Sequence, residues 1–508
     1  MQPTESSAPP AASHQQAPGH LTPDAFRELG YRMVDWIADY WRTLEDRPVT
    51  PPTRPGEVEA ALPAAAPERP EAWDAIFRDL DELVALNLTH WQHPGFFGFF
   101  PANASFPAIL GELASAGLGV QGMLWSTGPA CTELETRVLD WMAGLLGLPG
   151  SFRSDAPQPE RGGGVIQGTA SEATLVSLVA ARSRLHGLGA DGPLTIYASD
   201  QAHSSVTKAA MIAGLARDPD DRASLRVLPT DAGLALDPRA LRDSIERDLA
   251  DGRTPAWIGL TSGTTATGAF DDIEAAARVR DELCPDAWLH VDAAWAGVAA
   301  VCPEHRGVHA GLERAESYVT NAHKWLLTNF DCSLFYTRDR HALNRAMSIT
   351  PAYLRNEASD AGAVIDYRDW HVELGRRFRA LKLWFVIRHY GAEGLRAHIR
   401  RHVAWAAEAE SALRADARFE LPTARSLSLI TFRLRAGDDA TRELHARLNA
   451  SGRAALTLTT VPIGPDREQA TVIRLCIGAT TTEHGHARAV CELIRSEAGR
   501  VLERYGAA

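Results

Sequence analysis

Trp288-Leu289-His290-Val291-Asp292, followed by Tyr318-Val319-Thr320-Asn321-Ala322-His323-Lys324-Trp325-Leu326-Leu327, decides how this chain is read. The first run is short, apolar and closed by an acid; the second sets a lysine among apolar neighbours. Short β-rich runs bounded by turn residues read as buried strands. Further candidates are Leu194 to Ala198, Trp257 to Thr261, Ser317 to Thr320 and Leu334 to Thr337, with helical patterns between them such as Glu172 to His186 and Ile273 to Leu283. Strands alternating with helices predict an α/β fold in which helices cover a mostly parallel central sheet.

Towards the N-terminus, Thr22-Pro23-Asp24 predicts a helix start by the cap-then-proline rule, and Phe26, Leu29, Met33, Trp36, Ile37 and Tyr40 recur at helical spacing. After a proline-rich link between Val49 and Pro70, Trp73, Ile76, Leu80, Leu83 and Leu86 predict a second amphipathic helix. Such faces need cover, from the rest of the chain or from a second subunit. Beyond about residue 382 the alternation loosens, and strands at Leu429 to Leu434 and Val472 to Ile477 predict a smaller α+β domain. The expected division is a disordered tail (1–22), an N-terminal helical segment (23–106), a large α/β domain (107–381) and a small C-terminal α+β domain (382–508).

Composition narrows the function. With 508 residues, 45% hydrophobic and 23% charged, the chain is long enough for two or three cores of ordinary globular make-up. A net charge of −12 argues against nucleic acid or an anionic membrane as the main partner. Six cysteines without a Cys-x-x-Cys pair or a His-rich companion predict neither a disulfide scaffold nor a metal site, and fit the reducing cytoplasm. No apolar run reaches the length of a membrane span, and the Pro-, Ala-, Ser- and Gln-rich N-terminal tail is not built like a signal peptide.

Most lysines are solvated surface charges, yet Lys324 sits where desolvation costs unless the amine is used. An amine that can condense with an aldehyde and a carboxylate that can keep a pyridine nitrogen protonated are the equipment for holding pyridoxal phosphate. Three other stretches agree. Gly162-Gly163-Gly164-Val165-Ile166-Gln167-Gly168-Thr169-Ala170-Ser171-Glu172 places glycines and hydroxyls before a helix, which suits a phosphate loop, although Ser171-Glu172 alone would pass for a plain cap. His203 follows a strand in Asp200-Gln201-Ala202-His203-Ser204-Ser205, where open sheets bind ligands; its imidazole could stack on a pyridine ring, or simply decorate the surface. Ser262-Gly263-Thr264-Thr265-Ala266-Thr267-Gly268 likewise follows a strand, as a plain turn also would. Separate bland explanations for every one of these strand-end elements would be a coincidence.

These runs, with His290-Val291-Asp292-Ala293-Ala294-Trp295, His323-Lys324-Trp325-Leu326-Leu327-Thr328-Asn329-Phe330-Asp331-Cys332, Thr89-His90-Trp91, Pro101-Ala102-Asn103-Ala104-Ser105 and Leu374-Gly375-Arg376-Arg377, resemble the aromatic L-amino acid decarboxylases. That family belongs to the group II pyridoxal-phosphate decarboxylases, and the resemblance runs from about residue 23 to the C-terminus. It implies the aspartate aminotransferase type of fold (fold type I) and a homodimer with active sites at the subunit interface, which makes the N-terminal helical segment (23–106) a dimerisation segment. It further implies that Lys324 forms the Schiff base, Asp292 pairs with the pyridine nitrogen and His203 stacks on the ring. Ala170, Ser171, Asn321 and His323 would surround the phosphate, Thr265 would contact the ring side, and Leu374 and Gly375 would reach the cofactor of the other subunit. The stretch from about Ile349 to Asp366 corresponds to the family's lid, whose tyrosine, here Tyr353, is held to return the proton to the α-carbon.

The implied reaction is loss of the α-carboxylate of an aromatic amino acid as carbon dioxide, giving the amine. Family variants that consume oxygen and make aldehydes carry phenylalanine for the lid tyrosine or asparagine for the stacking histidine; Tyr353 and His203 are retained here. The expected side-chain pocket comprises Trp91, Phe99, Phe100, Pro101, Ala102, Gln121, Met123 and Gly375, an aromatic and apolar surface for a flat ring. Alternatives are an aromatic aldehyde synthase, a group II decarboxylase of another amino acid, or a catalytically silent scaffold.

Overall fold

The computed structural model describes residues 20–156, 162–189, 192–349, 364–464 and 466–505. Its contacts define two units that meet in sequence between Pro48 and Val49, so the expected 23–106 segment is divided there. In the first unit the helix Pro23–Arg42 begins as its residues dictate: Thr22 is extended, its hydroxyl accepts the Ala25 N–H, and Pro23 stands where an N–H would lack a partner.

In the second unit, seven strands form one sheet: β1 (Gly163–Gln167), β2 (Leu194–Ser199), β3 (Leu225–Leu228), β4 (Thr254–Thr261), β5 (Trp288–Asp292), β6 (Ser317–Asn321) and β7 (Ser333–Thr337), in the order β1-β7-β6-β5-β4-β2-β3. Only β7 runs against its neighbours; the β6-β5, β5-β4, β4-β2 and β2-β3 pairs are parallel. The mostly parallel α/β sheet expected from the alternation is thus present. Trp257 and Trp288 pack on one face and Ile258, Leu260, Leu289 and Val291 on the other, as period-two side-chain alternation requires of strands covered on both sides.

Two readings are corrected. Gly163 and Gly164 lie inside β1, so Gly162 to Gly164 are not part of a phosphate loop. A Cβ on Gly162 would come within 2.2 Å of the Ser151 and Thr337 carbonyl oxygens, and one on Gly164 within 2.8 Å of the Tyr336 ring. These glycines let β1 lie close against β7, and the turn proper starts at Gly168. The stretch from Trp73 to Leu86 is not one helix either: an α-helix (Trp73–Asp79) passes into a π turn (Leu80–Val84) and a 3-10 turn (Ala85–Asn87). The Asn87 amide, donating to the Leu83 carbonyl at 2.8 Å and accepting from the Thr53 hydroxyl, draws the chain out of α geometry.

A second sheet is antiparallel, in the order β10-β11-β9-β8, from β8 (Phe419–Glu420), β9 (Leu429–Leu434), β10 (Thr457–Ile463) and β11 (Glu468–Cys476). The helices Ala380–Arg414, which kinks at Gly391, Asp438–Ala450 and His484–Arg504 accompany it. Phe96 bridges to Ala455, tying the segment after Val49 to this sheet. Among the described residues no helix is long and apolar enough to cross a membrane, and all six cysteines are free and buried.

Candidate active site

Two rows of paired residues place the site. Thr261, Asp292 and Val319 pair across β4, β5 and β6, and Gln167, Ser333 and Asn321 across β1, β7 and β6. The turns after β1, β4, β5 and β6 therefore open on one edge of the sheet, the carboxyl edge at which open α/β sheets bind ligands.

Lys324 lies in a single helical turn, Ala322–Trp325, directly after β6. Asn103 grips this turn from both ends. Its N–H donates to the His323 carbonyl at 2.7 Å, and its side-chain oxygen accepts the Leu327 N–H at 3.0 Å. Its amide donates to the Gly478 carbonyl at 2.9 Å. Leu327, held this way, carries a left-handed φ of 55°, a strain of the kind that surrounding structure must enforce. The Lys324 Nζ lies 5.3 Å from the centroid of the Phe100 ring. Burial holds its pKa below the usual lysine range; Asp292 opposes this and the Arg474 guanidinium adds to it. An amine so placed is more readily neutral and nucleophilic.

Asp292 fixes its carboxylate by accepting the Ala294 N–H at 2.9 Å. His203 accepts the Ser205 N–H at Nδ1 (3.1 Å), with the Ser205 hydroxyl 2.9 Å from the same atom, which assigns the ring proton to Nε2. Burial lowers its pKa, Asp292 works against that, and Lys324 lowers it further, so His203 is a neutral ring with one outward donor. His323 is arranged alike: Nδ1 accepts the Cys332 N–H at 2.9 Å, and burial brings its pKa down to about 3. The Asn321 side-chain oxygen accepts from the Ser333 hydroxyl.

The helix Ala170–Gly187 begins at the same edge, capped by the Thr169 hydroxyl. Its first N–H groups, on Ala170 and Ser171, precede the intrahelical ladder and are available to an anion. The Gly168 N–H is not, because it donates to Glu172 Oε2 at 3.0 Å; the other oxygen of that carboxylate accepts the Val372 N–H at 3.3 Å. Thr265 is exposed at the tip of a turn closed by the Thr264 hydroxyl, which accepts the Ala269 N–H at 3.0 Å. A neutral-leaning lysine facing a carboxylate, two imidazoles with free Nε2–H groups and an open helix N-terminus together fit pyridoxal phosphate.

The expected pocket residues divide. Phe100 is buried beneath Lys324 and stacks on Trp295 at 4.4 Å, and Pro101 fills the space a Cβ on Gly478 would need. Trp91 and Phe99 are partly exposed and stack at 5.6 Å, and the Ala102 carbonyl accepts from the Gln92 amide. Gln121 meets the Gly375 segment: its Oε1 accepts the Arg376 N–H at 2.6 Å and its Nε2 stands 3.2 Å from where a Gly375 Cβ would be, while the Met123 carbonyl accepts the Arg368 N–H. Arg376 is itself fully buried on Glu135 at 2.7 Å, so the Gly375 segment is anchored to β1 through the Glu135 bond to the Ile166 N–H. Tyr353 lies outside the described residues.

The structure adds Arg474, which the sequence reading did not single out. It is buried in β11; Nε donates to the Ala266 carbonyl at 3.2 Å, Nη1 to the Thr457 hydroxyl at 2.9 Å, and Nη2 has no partner among the described residues. Its guanidinium lies 5.0 Å from the centroid of the same Phe100 ring that underlies Lys324. A charge inside the apolar run Val472-Ile473-Arg474-Leu475-Cys476 was the available signal.

Residues 55–435 match the conserved domain of the pyridoxal-dependent decarboxylases, and the chain belongs to that family of enzymes. Within it, the chain is 43% identical to phenylacetaldehyde synthase of Arabidopsis thaliana, covering 95% of this chain and 97% of the relative. It is 41% identical to aromatic-L-amino-acid decarboxylase of Rattus norvegicus over 94% and 98% of the two chains. The crystal structure of Catharanthus roseus tryptophan decarboxylase in complex with L-tryptophan superposes with a TM-score of 0.87 at 38% identity, covering 95% of this chain and 99% of that one. The cofactor expected from Lys324 and Asp292 is the one for which the family is named.

Proposed function

We propose that this enzyme removes the α-carboxylate of an aromatic L-amino acid, of the tryptophan, 5-hydroxytryptophan, phenylalanine, tyrosine or DOPA type, to give the arylalkylamine and carbon dioxide. The observation that carries the reading is the buried Lys324 amine, set over the Phe100 ring and flanked by Asp292 and Arg474. Bound pyridoxal phosphate supplies a protonated ring that accepts the electron pair left by departing carbon dioxide. Lys324 would hold the cofactor through its amine. Asp292 would keep the proton on the ring nitrogen, and His203 would stack on the ring. Arg474 docks the substrate carboxylate through Nη2, which has no partner among the described residues, a charge-assisted bond in an apolar setting that fixes the leaving group's direction. Phe100, with Trp91, Phe99 and Pro101, offers the aromatic wall. Ala170, Ser171, Asn321 and His323 would hold the phosphate, Thr265 would meet the ring side, and Tyr353 would supply the proton to carbon.

The enzyme works as a homodimer in the cytoplasm. Leu374 and Gly375, in the segment that Arg376 anchors on Glu135, reach the cofactor of the partner subunit, and Gln121 and Met123 add to the substrate pocket. The domain organisation is an N-terminal helical segment that pairs the subunits, the large α/β domain and the small C-terminal domain.

Two measurements test this. Release of amine and carbon dioxide is followed across the standard amino acids: turnover confined to aromatic substrates supports the reading, whereas turnover of acidic ones overturns the substrate class. Lys324→Ala is expected to abolish both turnover and the visible absorption of the bound cofactor. The likeness to an aldehyde synthase favours one second reading, detected as aldehyde, ammonia and hydrogen peroxide in place of amine.

A further inference from the structure

A line of aromatic rings runs from the lysine to the surface. Phe100, beneath Lys324, stacks on Trp295 at 4.4 Å and 13°, and Trp295 stacks on Trp325 at 5.4 Å and 18°. Trp325 lies parallel to His402, 6.3 Å apart and inclined by 6°. His402 meets Trp405 at 5.3 Å, and Trp405 stacks on His484 at 6.2 Å and 20°. Trp295, Trp325 and His402 are buried, Trp405 is half-buried, and the His484 side chain is 50% exposed. Trp405 and His484 line a surface groove of about 250 Å³ together with Glu408, Arg488 and Arg495.

Burial of apolar area alone does not account for the line. Its buried middle holds an imidazole, a group that is costly to bury unless hydrogen-bonded. That imidazole is spent on one bond: the Trp325 Nε1–H donates to His402 Nδ1 at 2.9 Å. Indole is among the side chains most easily oxidised by one electron, electron transfer falls off steeply with ring separation, and an oxidised indole sheds its N–H proton to a neighbouring base. The line supplies close spacing, indoles and that base.

We propose that Trp325 and Trp405, with Trp295 behind them and His402 between, form a one-electron relay that carries oxidising equivalents from the lysine site to the surface. The oxidant is a diffusible oxygen radical of the superoxide class that enters the site from solution. It takes one electron from Trp325 and, with protons from water, becomes peroxide. The Trp325 Nε1–H proton passes to His402 Nδ1, leaving a neutral indolyl radical. Trp405 then gives one electron to Trp325, which recovers its proton from His402, and Trp405 releases its own indole proton to water. A small soluble thiol in the groove donates a hydrogen atom to Trp405 and leaves as a thiyl radical. In sum, the oxygen radical gains one electron, the thiol loses one, and the protein is unchanged.

The test uses the holoenzyme with a soluble ruthenium tris-bipyridine photo-oxidant and persulfate as electron acceptor, with freeze-quenched electron paramagnetic resonance as the readout. The native enzyme is expected to show tryptophyl radicals that include one in the buried, hydrogen-bonded setting of Trp325. Trp405→Phe, at the half-buried exit, is expected to cut the yield of that buried radical several-fold. Trp384→Phe, on the same helix but outside the line, is expected to leave it unchanged. Equal buried-radical yields in the native and Trp405→Phe enzymes overturn the relay. A second readout is the number of turnovers completed under dioxygen and thiol before activity is lost. That number is expected to fall several-fold in Trp405→Phe and not in Trp384→Phe; if it does not fall, the protective role is overturned. The radical readout requires no amino acid substrate, so failure of the relay is distinguishable from failure of the decarboxylase reading.

Discussion

Replacing Arg474 by methionine separates docking of the substrate carboxylate from every other role of this site. Methionine keeps most of the buried aliphatic volume but removes the guanidinium from above Phe100 and leaves no cation to meet a carboxylate. Hydrogen bonds to charged groups contribute about 1.5–3 kcal/mol. With one such bond between Nη2 and the carboxylate, kcat/KM is expected to fall about 10-fold to 150-fold, at about 1.4 kcal/mol per factor of ten. Removing Arg474 also relieves one of the influences that depress the pKa of the free Lys324 amine. The assay is amine release at varied substrate concentration and pH. Its control is inhibition by the product amine, which lacks the carboxylate and should bind the Arg474→Met enzyme as it binds the native one. Arg474→Lys, keeping the charge without the planar fork, should recover part of the loss. A kcat/KM within about threefold of native, worth under 1 kcal/mol, refutes docking by this residue. An equal weakening of the product amine refutes it too, by reducing Arg474 to a structural support.

Gly164→Ala forces a Cβ to 2.8 Å from the Tyr336 ring and should cost about 1–3 kcal/mol by overpacking, read as a lowered thermal midpoint. Gly150→Ala, with nothing within 4 Å of the new carbon, should leave the midpoint nearly unmoved. Burial raises the Asp271 carboxyl to about 6 even though it accepts the Leu236 and Thr261 N–H groups, both at 2.7 Å. The folded state therefore holds this proton more tightly than the unfolded chain does, and the contribution to stability falls as pH rises from about 4, the unfolded aspartate value, through about 6. Unfolding midpoints across that window should show a falling component that Asp271→Asn lacks, and identical slopes would count against it. Tyr353→Phe should divert product from amine towards aldehyde and ammonia, and an unchanged amine yield removes Tyr353 from the proton-return step.

Much of the fold was legible because burial on both faces leaves a local mark. β5 and the helix Ile273–Leu283 begin and end at the residues the pattern indicates. What misled was glycine, whose residue type does not say which demand it meets. Gly162 and Gly164 answer a steric demand set by Thr337 and Tyr336, some 170 residues away in sequence, whereas the same letters before a helix suggested a phosphate turn. Asn87 broke the second predicted helix by a similar route, since its side-chain bonds to Leu83 and Thr53 compete with a backbone pattern that apolar spacing cannot register.

The site was legible to the extent that each of its groups betrays a local cost. Lys324 stood out as a charge in an apolar run, and Arg474 carries the same mark; what separated them in the reading was that Lys324 had a partner acid at a matching strand end. Arg474 belongs to the second sheet, and its nearness to Phe100 follows from how β11 packs on the turn around Ala266, which no spacing in the sequence encodes. Glu172 shows the converse. Read locally it is an acidic residue in the first turn of a helix, but its two oxygens join the Gly168 N–H just before that helix to the Val372 N–H two residues before Leu374. A residue type states which bonds a side chain can make; the fold decides which two segments those bonds hold together. Here that choice ties the start of the helix Ala170–Gly187, proposed to hold the phosphate, to the segment proposed to serve the partner subunit, so the two should respond together when either is disturbed.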